Sequence, residues 1–275
     1  MMKNQFLIVI AALFICCCLG RETACQTQGN ERKANGATAS SDAGLTANLS
    51  TKQNEFNWRG KIAAGGLVEI IGIKGDIQVE ASAGNEVEVV ALKQGDQNEI
   101  PQVAVRVEES AGRLRVCAAY PILEGKGASE CVESFEWKSI GWNENERELY
   151  IGYEDGKKQA IRLADVRVLF KVRVPAGVSC IARTMRGGIT ARFGSADVPN
   201  SVDLLTLAGN LSLEAAKKIN AHVSLTTGGG DIATDFPITL SGRFPGRGLE
   251  GNIGQGSAKI SMSAWQGDVE LRRAQ

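Results

Sequence analysis

The chain has 275 residues, enough for one large domain or two ordinary ones with a sizeable core. Lysine and arginine number 31, as do aspartate and glutamate, so the net charge is zero and no basic surface for nucleic acid is indicated. One histidine argues against a histidine-built metal or catalytic site. The 32 glycines suit extended strands joined by many tight turns. We predict an all-β protein that does not bind nucleic acid.

The N-terminus has the pattern of a secretion signal. Lys3 precedes an apolar run over residues 6–19, and the small residue Gly20 follows at the expected cleavage position. The run is shorter than the ~20 residues that a membrane-spanning helix needs. We predict a signal peptide over residues 1–20 and export to the periplasm or cell surface of a bacterium.

Three consecutive cysteines near the end of the apolar run leave a lipoprotein interpretation open. Bacterial lipoproteins carry their lipid on a cysteine in this place, so Cys16, Cys17 or Cys18 would supply the one expected contact with a membrane. Residues 21–54 are polar and contain no aromatic residue. Such a segment cannot bury enough apolar surface to fold, so we predict a flexible tether there.

One twelve-residue template occurs five times in the rest of the chain. It first appears as VEIIGIKGDIQV from Val68, with apolar residues at positions one, three, ten and twelve and a glycine at position eight. The other copies start at Cys180, Val202, Val223 and Ile260. The glycines at position eight are Gly75, Gly187, Gly209, Gly230 and Gly267. Alternation of period two on both sides of the glycine predicts two short strands, with the glycine supplying a positive φ at the turn between them.

The spacing of the copies predicts the architecture. Three copies start at residues 180, 202 and 223, and a repeat of about 21–22 residues is typical of stacked units that share one apolar column. We therefore predict a single-stranded β-helix, a solenoid-like stack of short strands, with a β-sandwich as the alternative. No segment shows a sustained helical period. Further strands are predicted over residues 87–92, 103–107, 114–117 and 166–174.

Export makes the cysteines that follow the signal candidates for disulfides. Cys180 occupies an inward template position, which predicts a buried free thiol. Cys117 and Cys131 flank a glycine- and proline-containing loop that leaves a strand, and closing a loop of about 15 residues stabilises by roughly 3 kcal/mol. We predict a Cys117–Cys131 bridge, because Cys25 lies on the predicted tether.

Residues 124–165 interrupt the strand pattern and concentrate aromatic side chains. Two interpretations stay open: a hairpin whose aromatics cap an exposed end of the stack, and a stacking surface for a sugar or a protein. The second interpretation makes four residues candidate ligand contacts. They are Trp137, Trp142, Tyr150 and Tyr153.

Motifs in a specific order resemble a known bacterial family. They are FNWRGKIAAGGLVEI from Phe56, VCAAYP from Val116, VRVPAGV from Val172 and TDFPITLSGRFPGRGLEGNIGQG from Thr234. Over residues 55–275 the chain resembles the bacterial family named putative adhesins, whose function is unknown. The resemblance implies an exported, all-β, β-helix-like domain and carries over no catalytic residue.

The residues after the turn glycines would form a polar column in a stack. They are Asp76, Gly188, Asn210, Asp231 and Asp268. Such a column can bind calcium, but calcium takes six to eight oxygens and Gly188 interrupts the series. We interpret these side chains as bonding the local backbone at the turns, and we predict no metal and no cofactor.

The remaining motifs do not indicate catalysis. His222 is predicted to be an outward structural residue, and the glycines of residues 248–256 are predicted to form a loop. We predict an exported, non-enzymatic envelope or cell-surface protein for adhesion or surface-polymer binding, with a surface glycan or an envelope protein as partner. The alternatives are a glycan-active β-helical enzyme and an envelope scaffold or sensor module.

Overall fold

The computed structural model describes residues 54–121, 131, 140–143, 148–152, 158–194, 199–240 and 248–275. The predicted signal peptide and nearly all of the predicted tether lie outside these residues. Within them the chain forms β-strands and one short 3-10 turn, Ile100–Gln102, and the prediction of an all-β protein is confirmed. Within the same ranges, no helix has the length and apolar character needed to cross a membrane.

Two sheets of eight strands each contain most of these residues. Sheet A has the order β1 (Glu55–Lys61), β4 (Glu86–Gly95), β10 (Val166–Val174), β3 (Ile77–Ala81), β12 (Ile189–Phe193), β14 (Leu211–Ala215), β19 (Val269–Arg273) and β16 (Ile232–Thr234). Sheet B has the order β17 (Gly248–Ile253), β15 (Ala221–Thr227), β18 (Ala258–Gln266), β13 (Ser201–Ala208), β11 (Ser179–Arg186), β2 (Leu67–Ile71), β6 (Arg113–Ala119) and β5 (Ala104–Ser110). The strands predicted between the first and second template copies are β4, β5, β6 and β10.

Each template copy supplies one strand to each sheet. The first strands of the five copies are neighbours in sheet B, the second strands are neighbours in sheet A, and all these pairs are parallel. Residues at template position one lie side by side in the order Val68, Cys180, Val202, Ile260 and Val223. The fifth copy in sequence therefore lies between the third and the fourth.

The two sheets share one core. The inward side chains of the template, except Ile232 and Thr234 in β16, are buried and belong to a single hydrophobic cluster with those of β4, β6 and β10. Two sheets around a common core fit the β-sandwich alternative. The single-stranded β-helix is not confirmed, because the pairs β1–β4, β4–β10, β5–β6 and β15–β17 at the ends of the sheets are antiparallel.

A third, antiparallel sheet lies within the segment predicted as an insert. It consists of β7 (Ile140–Asn143), β8 (Glu148–Gly152) and β9 (Lys158–Arg162). Leu149 and Ile161 from this sheet are buried in the common cluster. The disulfide between Cys117 and Cys131, with 5.6 Å between the Cα atoms, ties the start of the same segment to β6.

The loop prediction for residues 248–256 is wrong over most of its length. Residues 248–253 form β17, which pairs antiparallel with β15. A Cβ atom at position 251 would lie 2.5 Å from the Thr239 carbonyl oxygen. Because Gly251 has no Cβ atom, the two backbones can approach closely there. Pairing between strands outweighs the low strand propensity of a glycine-rich sequence.

Cys180 is a free cysteine that is fully buried in the core, as its template position predicts. Burial raises the pKa of the Cys180 thiol to about 12, and the nearby Asp203 charge acts in the same direction. Because the thiolate is the reactive form, we expect Cys180 to resist iodoacetamide at pH 8 in the folded protein and to react in urea. Mass spectrometry of the Cys180 peptide measures both rates, and equal rates would contradict this burial.

Candidate functional site

The corners between the two sheets depend on the turn glycines. All five have positive φ, from 129° at Gly75 to 159° at Gly230. At Gly267 a Cβ atom would overlap the carbonyl oxygen of Gly209 in the neighbouring copy. The Gly267 N–H donates to the Gly229 carbonyl on its other side at 2.9 Å. The copies thus stack backbone on backbone at this corner, with no room for a side chain.

Buried threonines bond these corners to the next copy. The hydroxyl of Thr206 donates to the Gly187 carbonyl at 2.8 Å, and that of Thr227 donates to the Gly267 carbonyl at 2.8 Å. Thr184 makes the equivalent bond in its copy. The sequence reading missed these residues, although each stands three positions before a turn glycine. Satisfying a buried carbonyl in this way avoids a cost of about 1–3 kcal/mol.

The polar column after the glycines bonds between copies. Asp76 Oδ1 accepts the Gly188 N–H at 2.8 Å, and Asp268 Oδ1 accepts the Asp231 N–H at 2.9 Å. The prediction that these side chains bond their own turn is therefore corrected, because stacking brings the neighbouring N–H within closer reach. In the described part of the chain, no group of three histidine, cysteine or acidic residues could hold a metal ion.

On the outer face of sheet A, charged side chains lie beside side chains of opposite charge. By strand register, one row of alternating charge crosses the sheet. It contains Arg59, Glu88, Arg173, Glu80, Arg192, Glu214, Arg272 and Asp235. Glu88, for example, lies 2.8 Å from Arg59 and 3.0 Å from Arg173. The charged groups of this row therefore lie beside partners of opposite charge within the protein.

The outer face of sheet B has two different halves. Near β2 and β6, Glu69 points outward and yet is 2% exposed. It accepts hydrogen bonds from Arg113 Nη2 at 2.9 Å and Arg115 Nε at 2.8 Å. This buried cluster is structural, because its carboxylate is already held by two guanidinium groups.

The other half of this face is centred on β18. Ile260, Met262 and Ala264 point into the core, so the alternate residues face outward. These outward residues form what we call the β18 strip: Lys259, Ser261, Ser263 and Trp265. Trp265 is 60% exposed. The strip is about 20 Å long, at about 3.3 Å per residue.

Neighbouring strands extend the strip sideways with polar groups. Ser201 lies opposite Lys259, and Asp203 and Ser224 lie on either side of Ser261. The Thr226 hydroxyl donates to the Ser263 oxygen at 2.9 Å. The face therefore combines hydroxyl groups, one cation, one carboxylate and an indole.

A groove crosses the Lys259 end of the β18 strip. Its volume is about 440 Å³. It is lined by Gly65, Gly66, Leu67, Ser179, Ile181, Ser201, Asp203, Lys259 and Ser261. Serine hydroxyls are both donors and acceptors, so such a lining can bond polyol ligands in several orientations.

His222 lies beside this groove, on the outward face that the sequence predicted. Its Nδ1 is 2.8 Å from Asn252 Oδ1, and its Nε2 is 3.2 Å from Glu250 Oε1. Both ring nitrogens therefore have partners on β17. The ring fastens β17 to β15 at the edge of the sheet.

The aromatic contacts predicted from the sequence fall largely beyond what the structure describes. Trp137 and Tyr153 lie outside the described residues. Trp142 and Tyr150 belong to β7 and β8, where the backbone positions pair Trp142 with Leu149. The sequence reading missed Trp265, although its alternation with inward residues on the fifth template copy was a usable signal.

Comparisons with known proteins give weak likenesses. No family model matches the chain, and no curated protein matches it. The chain is similar to a crystal structure of a putative cell adhesion protein from Clostridium sporogenes, at 9% identity and a TM-score of 0.47, over 80% of this chain and 98% of that one. It is similar to a putative adhesin from Parabacteroides distasonis at 15% identity and a TM-score of 0.21, over 79% of this chain and 69% of that one. A putative adhesin from Bacteroides fragilis aligns at 11% identity and a TM-score of 0.20, over 82% of this chain and 98% of that one.

The names of these solved structures agree with the putative-adhesin family that the sequence motifs resemble. At TM-scores below 0.5 the likenesses carry no argument about ligand or activity. The function of this chain therefore rests on the chemistry of its own residues.

Proposed function

We propose that this protein is an exported, non-enzymatic β domain that binds a surface polysaccharide through the β18 strip and so acts in adhesion. The observation that carries the proposal is Trp265, 60% exposed on the same strand face as Lys259, Ser261 and Ser263. An exposed indole next to hydroxyl groups offers an apolar plane for a sugar ring and bonding partners for its hydroxyls. An extended row of about 20 Å suits a polymer better than a small molecule.

Two carboxylates of this face, Glu69 and Asp203, favour a binding role over catalysis because arginines hold them. Glu69 and Asp203 occupy the same row, but β11 separates their strands. Each is engaged by arginine, since Asp203 accepts a hydrogen bond from Arg183 at 2.9 Å and Glu69 accepts two. Carboxylates held in this way are poorly placed to act as a general acid and base.

We also propose that the five template copies form a short solenoid section between antiparallel ends. Support comes from the corners, where the backbone ladder continues from one sheet to the other. The Ile189 N–H donates to the Asn210 carbonyl at 3.0 Å, and the Leu211 N–H donates to the Asp268 carbonyl at 2.8 Å. A stack that pairs through its corners presents a stiff, flat face to a polymer.

Export remains part of the proposal, in either its cleaved or its lipid-anchored form. Support comes from the apolar run before Gly20 and the cysteines at its end. Mass spectrometry of the mature N-terminus distinguishes cleavage from lipidation. Recovery of the intact, unmodified N-terminus in the cytoplasm would overturn export.

Replacing Trp265 by alanine tests the binding proposal directly. We expect at least about tenfold weaker binding to the polysaccharide that a glycan array identifies, which corresponds to about 1.4 kcal/mol. Because the ring is 60% exposed, the melting temperature should change little. Binding is measured by biolayer interferometry and melting by circular dichroism.

Two comparisons sharpen this test. Leu240→Ala removes another exposed side chain, 47% exposed, from outside the β18 strip and should leave binding unchanged. Trp142→Ala tests the contact predicted from the sequence in the same assay. Unchanged binding by Trp265→Ala would contradict the β18 strip as the contact surface, and an array with no bound glycan would contradict the proposed function.

A further inference from the structure

The charges around the groove point to the class of polymer that it binds. We infer that the polymer is anionic and that its oxyanion groups bind at Lys259, at the groove end of the β18 strip. This inference rests on the proposed function and specifies it. The common chemistry is an oxyanion on a polymer, whether the carboxylate of a uronic acid, a sulfate ester or a phosphodiester.

The balance of charge in the groove favours an anion. Asp203, the carboxylate that lines the groove, is 2.9 Å from Arg183 Nη2 and is therefore paired inside the protein. Lys259 also lines the groove, is exposed, and has no hydrogen bond or ion pair from its ammonium group to any described residue. The unpaired charge in the groove is thus a cation.

Arg183 lies on β11, two residues after Ile181 of the groove lining. Arg183 Nε is buried and has no acceptor among the described residues, although Nη2 of the same side chain bonds Asp203. In the strand order, Asp203 on β13 lies between Arg183 on β11 and Lys259 on β18. Asp203 is thereby drawn toward Arg183, and the Lys259 ammonium is left as the groove cation that an incoming anion can contact.

The hydrogen-bond donors of the groove are arranged in a row across the strands. Ser201 lies directly opposite Lys259, and Ser179 lies on the next strand of the same row. Neighbouring strands are about 4.8 Å apart, so the ammonium and two hydroxyls form a line across the groove. A flexible ammonium beside hydroxyl donors can bind one oxyanion with several bonds.

Arginines on the outer faces of the two sheets, in contrast, already have carboxylate partners. On the outer face of sheet A, Arg59 and Arg173 have carboxylate partners at 2.8 Å and 3.0 Å. Near β2, Arg113 and Arg115 are bonded to Glu69. Lys259 lines the groove and has no carboxylate partner among the described residues, so its ammonium group can bind an external anion.

The test measures binding of the full chain to four polymers. Polygalacturonate offers carboxylates, dextran sulfate offers sulfates, poly(ribitol phosphate) offers phosphodiesters, and dextran is neutral. We expect at least one anionic polymer to bind about tenfold more tightly than dextran, with an affinity that falls as salt is raised. The three anionic arms show which oxyanion source the groove prefers.

Variants of Lys259 assign the effect to the groove. Lys259→Gln should reduce binding of the preferred anionic polymer about tenfold, to the level of dextran, and should weaken its salt dependence. Lys259→Arg keeps the charge and should retain most of the binding. Lys218→Gln removes another exposed lysine, one that does not line the groove, and should have no effect. All three substitutions are at exposed positions, so their melting temperatures should match the parent protein.

The outcomes separate the inference from the proposed function. If dextran binds as tightly as the anionic polymers and Lys259→Gln changes nothing, while Trp265→Ala loses binding, the polymer is neutral and the inference is overturned. If Lys218→Gln has the same effect as Lys259→Gln, the attraction is a general surface charge and the inference is also overturned. If no polymer binds, the proposed function fails and the inference fails with it.

Discussion

Gly267→Ala is expected to lower the free energy of unfolding by about 3 kcal/mol or more. The alanine would take φ near 138°, a conformation that side chains rarely adopt, and its Cβ would overlap the Gly209 carbonyl of the neighbouring copy. The two nearest atoms belong to the Gly209 backbone, which cannot move aside as the end of a flexible side chain could. Urea unfolding followed by circular dichroism measures the loss.

Gly112→Ala is the matched control for this substitution. Gly112 also has positive φ, at 74°, but a Cβ atom there would meet nothing within 4 Å. We expect a cost of about 1 kcal/mol, from backbone conformation alone. The difference between the two variants measures the overlap at the corner. Equal losses would show that the copies can separate at Gly267 without cost.

Glu69→Ala is expected to destabilise the protein by about 3 kcal/mol. The carboxylate is 2% exposed, so its removal leaves the guanidinium groups of Arg113 and Arg115 without their shared acceptor. Arg115 is itself only 12% exposed, and water cannot readily replace the lost partner. Glu69→Gln keeps the side-chain volume and one acceptor oxygen, so it should lose less stability than Glu69→Ala.

The comparison for Glu69 is an ion pair on the surface. Glu86 is 38% exposed and lies 3.9 Å from Arg59, which is 63% exposed. Glu86→Ala should change stability by no more than about 0.5 kcal/mol. Both variants are compared by chemical unfolding at the same salt concentration. A loss at Glu69 no larger than that at Glu86 would mean that the buried cluster is dispensable.

The template allowed much of the fold to be predicted, because alternation of period two identifies strands and their inward faces. It placed Cys180 in the core and Ser261 on the surface for the same reason. It could not give the order of the copies, since all five present the same inward pattern and any order buries the same residues. That order depends on how the segment after β16 returns through β17, which local sequence does not encode.

The candidate site was less predictable than the fold. The four aromatic residues chosen from the sequence were selected by local density, which does not show where a sheet is exposed. Trp265 stands alone in the sequence, and only the pairing of β18 with β13 and β15 shows that polar groups surround it. Thr206 and Thr227 were missed because a hydroxyl at an inward position looks unfavourable until its acceptor in the next copy is known.

The place of the last template copy has a consequence for the order of folding. A chain that becomes available from its N-terminus generally begins to fold from that side. Here β18 lies between β13 and β15, and β19 lies between β14 and β16. These four earlier strands therefore lack one of their final partners until the chain has been made as far as residue 273. In a chain available only as far as β16, strands β15 and β13 carry the same inward pattern and can pair directly. We expect β18 to displace that pairing when it joins the sheet.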